Sequence, residues 1–307
     1  MQQRAFKQVD VFTDQPYYGN PLAVVLDGRE LDDAAMQRFA AWTNLSETTF
    51  LLPPTDVSAD YRVCIFTPGG ELPFAGHPTL GSCHSWLQAG GAPRGKNFIV
   101  QECKAGLVNI RREPGTRRLA FAAPPIKRSA PSPTLLAEVT AALGLRAQQI
   151  LGAQLLHNGP AWLGLLLDSP ETVLQLSADH QKIGQLKVNV GITGIYPSQE
   201  KSSLISRANR EARAFNVGAQ QRTPNAPDIE VRVFVPSIGV NEDPVTGAFN
   251  AALAQWLIAD GTMPERYLAS QGFCMGRAGQ VYIERDAKGQ VWVGGETVTC
   301  IDGSVTL

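Results

Sequence analysis

Alternating apolar and polar positions open the chain. Phe6-Lys-Gln-Val-Asp-Val-Phe12 reads as a strand, Tyr18-Gly-Asn-Pro21 as a turn, and 22–26 as a second apolar strand. Over 32–42 the period changes. Met36, Phe39 and Ala40 fall three and four apart, on one face of a helix that Asp32 or Asp33 can cap. Residues 45–52 read as a turn into a strand. Strand 61–66 leads through Pro68-Gly-Gly70 to a helix opened by His77-Pro78. After a Pro- and Ser-rich stretch at 123–133, a helix is expected over 134–143. His157-Asn-Gly-Pro160 and strand 162–167 echo Gly19-Asn-Pro21 and its strand. Helical segments at 170–182 and 204–215 flank 188–195. Strand 229–235, a helix opened by Asp243-Pro244, and strands at 281–284, 291–293 and 296–305 complete the chain.

This succession states itself twice. Asp60-Tyr-Arg-Val-Cys-Ile-Phe-Thr-Pro68, Gly76-His-Pro-Thr-Leu-Gly81 and Trp86-Leu87 return as Asp228-Ile-Glu-Val-Arg-Val-Phe-Val-Pro236, Glu242-Asp-Pro-Val-Thr-Gly247 and Trp256-Leu257. Ala105-Gly-Leu-Val-Asn-Ile110 returns as Ala278-Gly-Gln-Val-Tyr-Ile283. Matching His77 to Asp243 makes the loop between strand and helix two residues shorter in the later copy. A repeat this long means two related halves and not a solenoid. Residues 72–93 and 244–259 contain no Asp, Glu, Lys or Arg. A helix apolar nearly all round lies in the middle of something. The expected class is therefore α+β: two pseudo-symmetric domains, each a curved, mainly antiparallel sheet or barrel around a central buried helix. The expected division gives residues 1–125 to the first domain, with about 295–307 as an added last strand, and 126–294 to the second.

The 307 residues allow a large core, and 27 basic against 28 acidic side chains leave a net charge of −1. Neither nucleic acid nor an anionic membrane is an expected partner. Arg111, Arg112, Arg117 and Arg118 read as a solvated hairpin. No apolar run follows the charged start, and 147–167 is broken by Gln, Asn158 and Pro160, so neither a signal peptide nor a membrane span is expected. Five scattered cysteines without a C-x-x-C suit a reduced cytoplasm, and no metal site is expected. Gly90 to Lys96 matches a phosphate-loop spacing but follows a helix instead of preceding one.

Pro78 and Pro244 sit where the first helical residue is expected, which places His77 and Asp243 at N-caps. Two buried helix starts facing one cleft would bind a small carboxylate through free N–H groups, with no lysine or arginine needed. Read alone, Asp243 is an ordinary cap. Histidine caps poorly, and its presence at the matching place points to function. His84 and Cys83 read as packed core residues, and Glu47 is isolated.

Asn44-Leu-Ser-Glu-Thr-Thr-Phe50, Phe74-Ala-Gly-His-Pro-Thr-Leu-Gly81, Asn241-Glu-Asp-Pro-Val-Thr-Gly247 and the opening Asp10-Val-Phe-Thr-Asp with Gly19-Asn-Pro21 together resemble the phenazine-biosynthesis PhzF-like family, which shares the diaminopimelate epimerase fold. The resemblance implies a cofactor-independent isomerase that moves a proton on a small amino or hydroxy acid, and a homodimer. It implies catalytic roles for Glu47, His77 and Asp243, and substrate contacts from Asn20, Gly76, Thr246, Gly247 and Ala248. It also admits a one-carbon epimerase, or a binding protein whose machinery is idle. The family motif continues T-G-S, whereas this chain has Ala248. A hydroxyl donor is gone, and the N–H groups of Gly247 and Ala248 are left for a carboxylate.

Overall fold

The structure, a computed structural model, describes residues 1–197, 226–236 and 239–307. The helical segment expected at 204–215 lies outside them. The chain begins β1 Gln3–Val11, β2 Asn20–Val25, α1 Asp33–Thr43, β3 Thr48–Leu52, β4 Tyr61–Thr67 and β5 Gly70–Leu72. It continues α2 Gly76–Gln88, β6 Ile99–Cys103, β7 Gly106–Arg112, β8 Leu119–Ala122, β9 Lys127–Ser129 and α3 Pro133–Ala142. Then come β10 Ile150–His157, β11 Ala161–Leu167, α4 Pro170–Gln175, α5 His180–Gln185, β12 Asn189–Ile195, β13 Ile229–Val235 and β14 Val240–Asp243. It closes with α6 Gly247–Ala259, β15 Arg266–Gln271, β16 Gly279–Arg285, β17 Val291–Gly295 and β18 Thr297–Thr306.

The pairing pattern occurs twice. β2 runs parallel to β3 across α1, and β11 parallel to β12 across α4 and α5. β4 pairs antiparallel with β3 and β5 and parallel with β6; β13 pairs the same way with β12, β14 and β15. The ends are exchanged. β18 lies against β1, β9 lies against β10, and β8 pairs with β17 between the copies. We therefore group β1–β8 with β18 and β9–β17 with each other. The Pro- and Ser-rich stretch at 123–133 holds β9.

Local rules account for the elements. Asp32 caps α1, its carboxylate accepting from Ala35 N–H at 2.7 Å, and Asn44 ends the helix in the left-handed region at φ 56°. The inward face of α1 is Met36, Phe39 and Ala40, as the spacing predicts. α2 and α6 are the two interior rods, thirteen residues each, and one hydrophobic cluster includes Leu80 and Cys83 of the first with Phe249 and Leu253 of the second. Cys83 is an inert core thiol, pushed up to about 12 by burial. His84 is partly buried, with Nε2 3.0 Å from the Thr299 hydroxyl.

Three expectations are corrected. Neither His77 nor Asp243 is an N-cap: the caps are Ala75 and Thr246, and neither makes a side-chain capping bond. Pro78 lies third in its helix, still within the first turn, where a missing N–H costs nothing. Pro244 lies before its helix altogether. The helix starts match Gly76 with Gly247, so the later loop is three residues longer than the earlier one and not two shorter. The arginine hairpin is also not simply solvated. Arg111 contacts Glu284 and lies 4.7 Å from the Trp292 ring centroid. Arg118 pairs with Glu113 at 3.0 Å and covers Tyr282. Arg111 and Glu284 thus join β7 to β16, one from each copy.

The rods meet at their starts. A Cβ on Gly76 would lie 2.9 Å from Gly247 Cα, and one on Gly247 would lie 3.1 Å from Gly76 Cα. This reciprocity is the mark of a pseudo-two-fold axis. Gly76→Ala must push two backbones apart, so we expect a loss of ~1–3 kcal/mol, read by urea unfolding. An unchanged midpoint would contradict the close approach.

Candidate active site

A cavity of about 160 Å³ lies where the rods meet, lined by Glu47, Gly76, His77, Asp243, Gly247 and Ala248 together with apolar side chains. Each polar group arrives from a different element. Glu47 stands between α1 and β3; His77 is the second residue of α2; Asp243 ends β14; Asn20 begins β2; Thr246 holds the N-cap position of α6 without a side-chain capping bond. The backbone N–H groups of Gly76, His77, Gly247 and Ala248 lie in the first turns of two uncapped helices, so the cavity faces two partial positive ends.

β14 departs from simple pairing. Val233 opposes Asp243 and Val235 opposes Val240, which leaves one extra residue on β14, a bulge. The neighbouring Glu242 turns the other way and meets Arg232 with two bonds of 2.9 Å. Arg232 also donates to the carbonyls of Val173 and Leu176 in the α4 segment. This buried clamp anchors the strand end that carries Asp243.

The hydrogen bonds assign protons. Asn20 Nδ2 donates to Val245 O at 2.9 Å and Asp243 Oδ1 at 3.0 Å, which uses both its hydrogens. It has none left for His77 Nδ1, 3.4 Å away. The Pro21 backbone, which has only a carbonyl to offer, accepts from the His77 ring, and since Nε2 meets no partner among the described residues the proton lies on Nδ1. Nε2 is then bare, and it faces Glu47 Oε2 at 3.5 Å. Burial pulls His77 down to about 3. Burial, then the charge of Asp243, push Glu47 well above the usual carboxylate range. Burial disfavours the charged form of both partners, so the contact is not an ion pair. Among the described residues neither Nε2 nor Oε2 has a hydrogen-bond partner, which marks the place where a ligand's atoms belong.

Asp243 is different. Thr246 Oγ1 donates to its Oδ2 at 2.6 Å, and Asn20 to Oδ1. Burial raises it to about 6, against the pull of those two donors. Two carboxyl groups in one dry cavity hold one charge between them more readily than two.

A family model described as phenazine biosynthesis-like protein, PhzC-PhzF, matches residues 9–303. The chain belongs to this family. Antisense-enhancing sequence 1 of Schizosaccharomyces pombe is 34% identical, over 99% of this chain and 99% of its own. Trans-2,3-dihydro-3-hydroxyanthranilate isomerase of Pseudomonas aeruginosa is 31% identical, over 92% of this chain and 90% of its own. The crystal structure of a Bacillus anthracis PhzF-family phenazine biosynthesis protein matches at a TM-score of 0.79 over 100% of both chains, with 20% identity, a likeness of fold.

All eight residues expected at the PhzF site, Glu47, His77, Asp243, Asn20, Gly76, Thr246, Gly247 and Ala248, gather around this one cavity. Sequence reasoning missed its second wall. Trp162 lines it, held by Asn158, which accepts from the indole N–H at 3.1 Å and donates to Ala248 O at 2.7 Å. It also missed Gln271, buried behind the helix start. The only hint of Asn158 was the echo of the Gly-Asn-Pro turn. Among the described residues, no cluster of three His, Cys, Asp or Glu groups suits a metal ion, and no helix is long and apolar enough to cross a membrane.

Proposed function

We propose that this chain, an isomerase of the PhzF family, moves a proton between two carbons of a small, largely apolar carboxylic acid by acid–base catalysis. The first-turn N–H groups of α2 and α6 bind the substrate carboxylate. Ionised Glu47 removes a proton from an activated C–H and returns it at another carbon of the same allylic system. His77 Nε2 accepts a hydrogen bond from Glu47 when Glu47 carries the proton, and Asp243 holds an amine or hydroxyl of the substrate. The observation that carries this reading is the bare Nε2–Oε2 pair, buried without a partner beside two uncapped helix starts.

Incubation in deuterium oxide with a panel of unsaturated amino and hydroxy acids tests it. Trans-2,3-dihydro-3-hydroxyanthranilate, named for the Pseudomonas aeruginosa relative, is the first compound to try. Deuterium entering a carbon of the substrate, lost in Glu47→Gln, is the expected result. Tight binding without labelling of any compound would retire the isomerase chemistry in favour of a carboxylate binder. Because the base must be ionised and burial raises its pKa, kcat/KM should rise with pH through a limb above the normal carboxylate range. A limb near ~4.3, the value of an unperturbed glutamate, would contradict a buried base.

A further inference from the structure

The hydrogen bonds behind Asp243 run in one direction. The backbone N–H of Thr246, which can only donate, reaches Gln271 Oε1 at 3.0 Å. This fixes which end of the Gln271 amide is oxygen. Asn250 Nδ2 fills the other position on Oε1 at 2.9 Å. The Nε2 end then donates to Asp243 O at 3.0 Å and to Thr246 Oγ1 at 2.9 Å. Every hydrogen-bonding position of this fully buried amide is filled. Because the Thr246 hydroxyl already accepts from Gln271, its own hydrogen is free to turn outward, and the acceptor it meets is Asp243 Oδ2 at 2.6 Å.

We propose that Gln271 is a positioning residue: it turns the Thr246 hydroxyl onto Asp243 and so keeps Asp243 the charged member of the Glu47–Asp243 pair, leaving the proton on Glu47. A protonated Asp243 would have to give up a donor. Its own O–H would compete with the Thr246 hydrogen at Oδ2 or with the Asn20 hydrogen at Oδ1. Glu47 Oε2 has no such donor against it. The other groups facing Asp243 do not favour its charge: His77 from α2 is neutral, and Glu242 beside it on β14, though paired with Arg232 on β13, pushes Asp243 upward, so the donors on Asp243 act against that push.

The significance for turnover rests on the proposed proton transfer, but the test needs no substrate. Carboxyl carbons labelled with ¹³C are followed by NMR against pH in the full chain, with Asp243→Asn and Glu47→Gln spectra assigning the two signals. In the native protein Asp243 should ionise at lower pH than Glu47. In Gln271→Met the Thr246 hydroxyl loses its fixed direction, and the Asp243 midpoint should rise by about one pH unit, ~10-fold in proton affinity. Thr246→Val should shift it similarly. The double variant should shift it no further, since the two act in one chain. Thr246→Ser, which keeps the hydroxyl, should restore the native midpoint. An unmoved Asp243 in Gln271→Met, or shifts that simply add in the double variant, would overturn the assignment. If Gln271→Met does not fold, an unmoved Asp243 in Thr246→Val overturns it alone. Shifts of the expected kind in a protein that exchanges no substrate C–H would support the Gln271 assignment and retire the isomerase reading.

Discussion

Glu47→Gln should lose at least ~10²–10⁴-fold in C–H exchange while making the protein more stable at pH 8. Both effects come from the same burial. A glutamate at the cavity wall, deprived of water and set beside Asp243, is reluctant to ionise. That reluctance keeps its proton affinity near what C–H chemistry demands. It also costs stability. A carboxyl whose folded pKa lies above its unfolded value binds more protons folded than unfolded. Its destabilising effect is absent below the unfolded pKa and grows as pH rises through the folded one. Glutamine keeps the shape and removes the charge. The thermal midpoint of Glu47→Gln should therefore exceed that of the native protein at pH 8 and match it at pH 4. Equal midpoints at pH 8 would mean that Glu47 is hydrated and ionises normally, and the proposed base would fail with it.

Asp243→Asn should slow exchange by ~10²–10³-fold, the size expected when one preorganised charge is removed from a dry site. The pH dependence gives the sharper readout. The charge of Asp243 is one of the two causes that raise Glu47. Without it Glu47 ionises more easily, so the acid limb of the residual activity should move to lower pH. A limb that stays in place would show that the two carboxyl groups do not sense each other. Asp243→Ser should recover nothing. Serine would replace aspartate well in a helix cap, but Asp243 ends a strand and Thr246 is the cap.

The fold was legible where it follows from periodicity. Alternation marked the strands, and two charge-free stretches marked the interior rods, because burial on all sides leaves no place for a charged residue. Duplication was legible because both copies meet the same packing demand. The helix starts were not. Proline is acceptable anywhere in a first turn and equally acceptable in an extended approach to one, so His77-Pro78 and Asp243-Pro244 matched as words but not as structure. Glycine was the better guide: only Gly76 and Gly247 let the two backbones touch. Glu47 carried no spacing signal because its place depends on β3 lying beside β2, a pairing that spans α1. Its role was available only from resemblance. Gln271 and Asn158 were silent for a related reason. A single polar residue at a strand or turn looks the same whether it faces water or closes a buried network, and only the partners distinguish the two.

The exchange of end strands has a consequence for biosynthesis. Gln3 Nε2 donates to Ser304 Oγ, 301 positions away, and β18 covers β1 along nearly its whole length. On the ribosome one side of β1 must therefore stay unpaired until β18 has emerged. Long-range pairing of this kind is slow to form. The group β9–β17 needs no strand from later in the chain and is free to mature earlier, so the part translated first is the part sealed last.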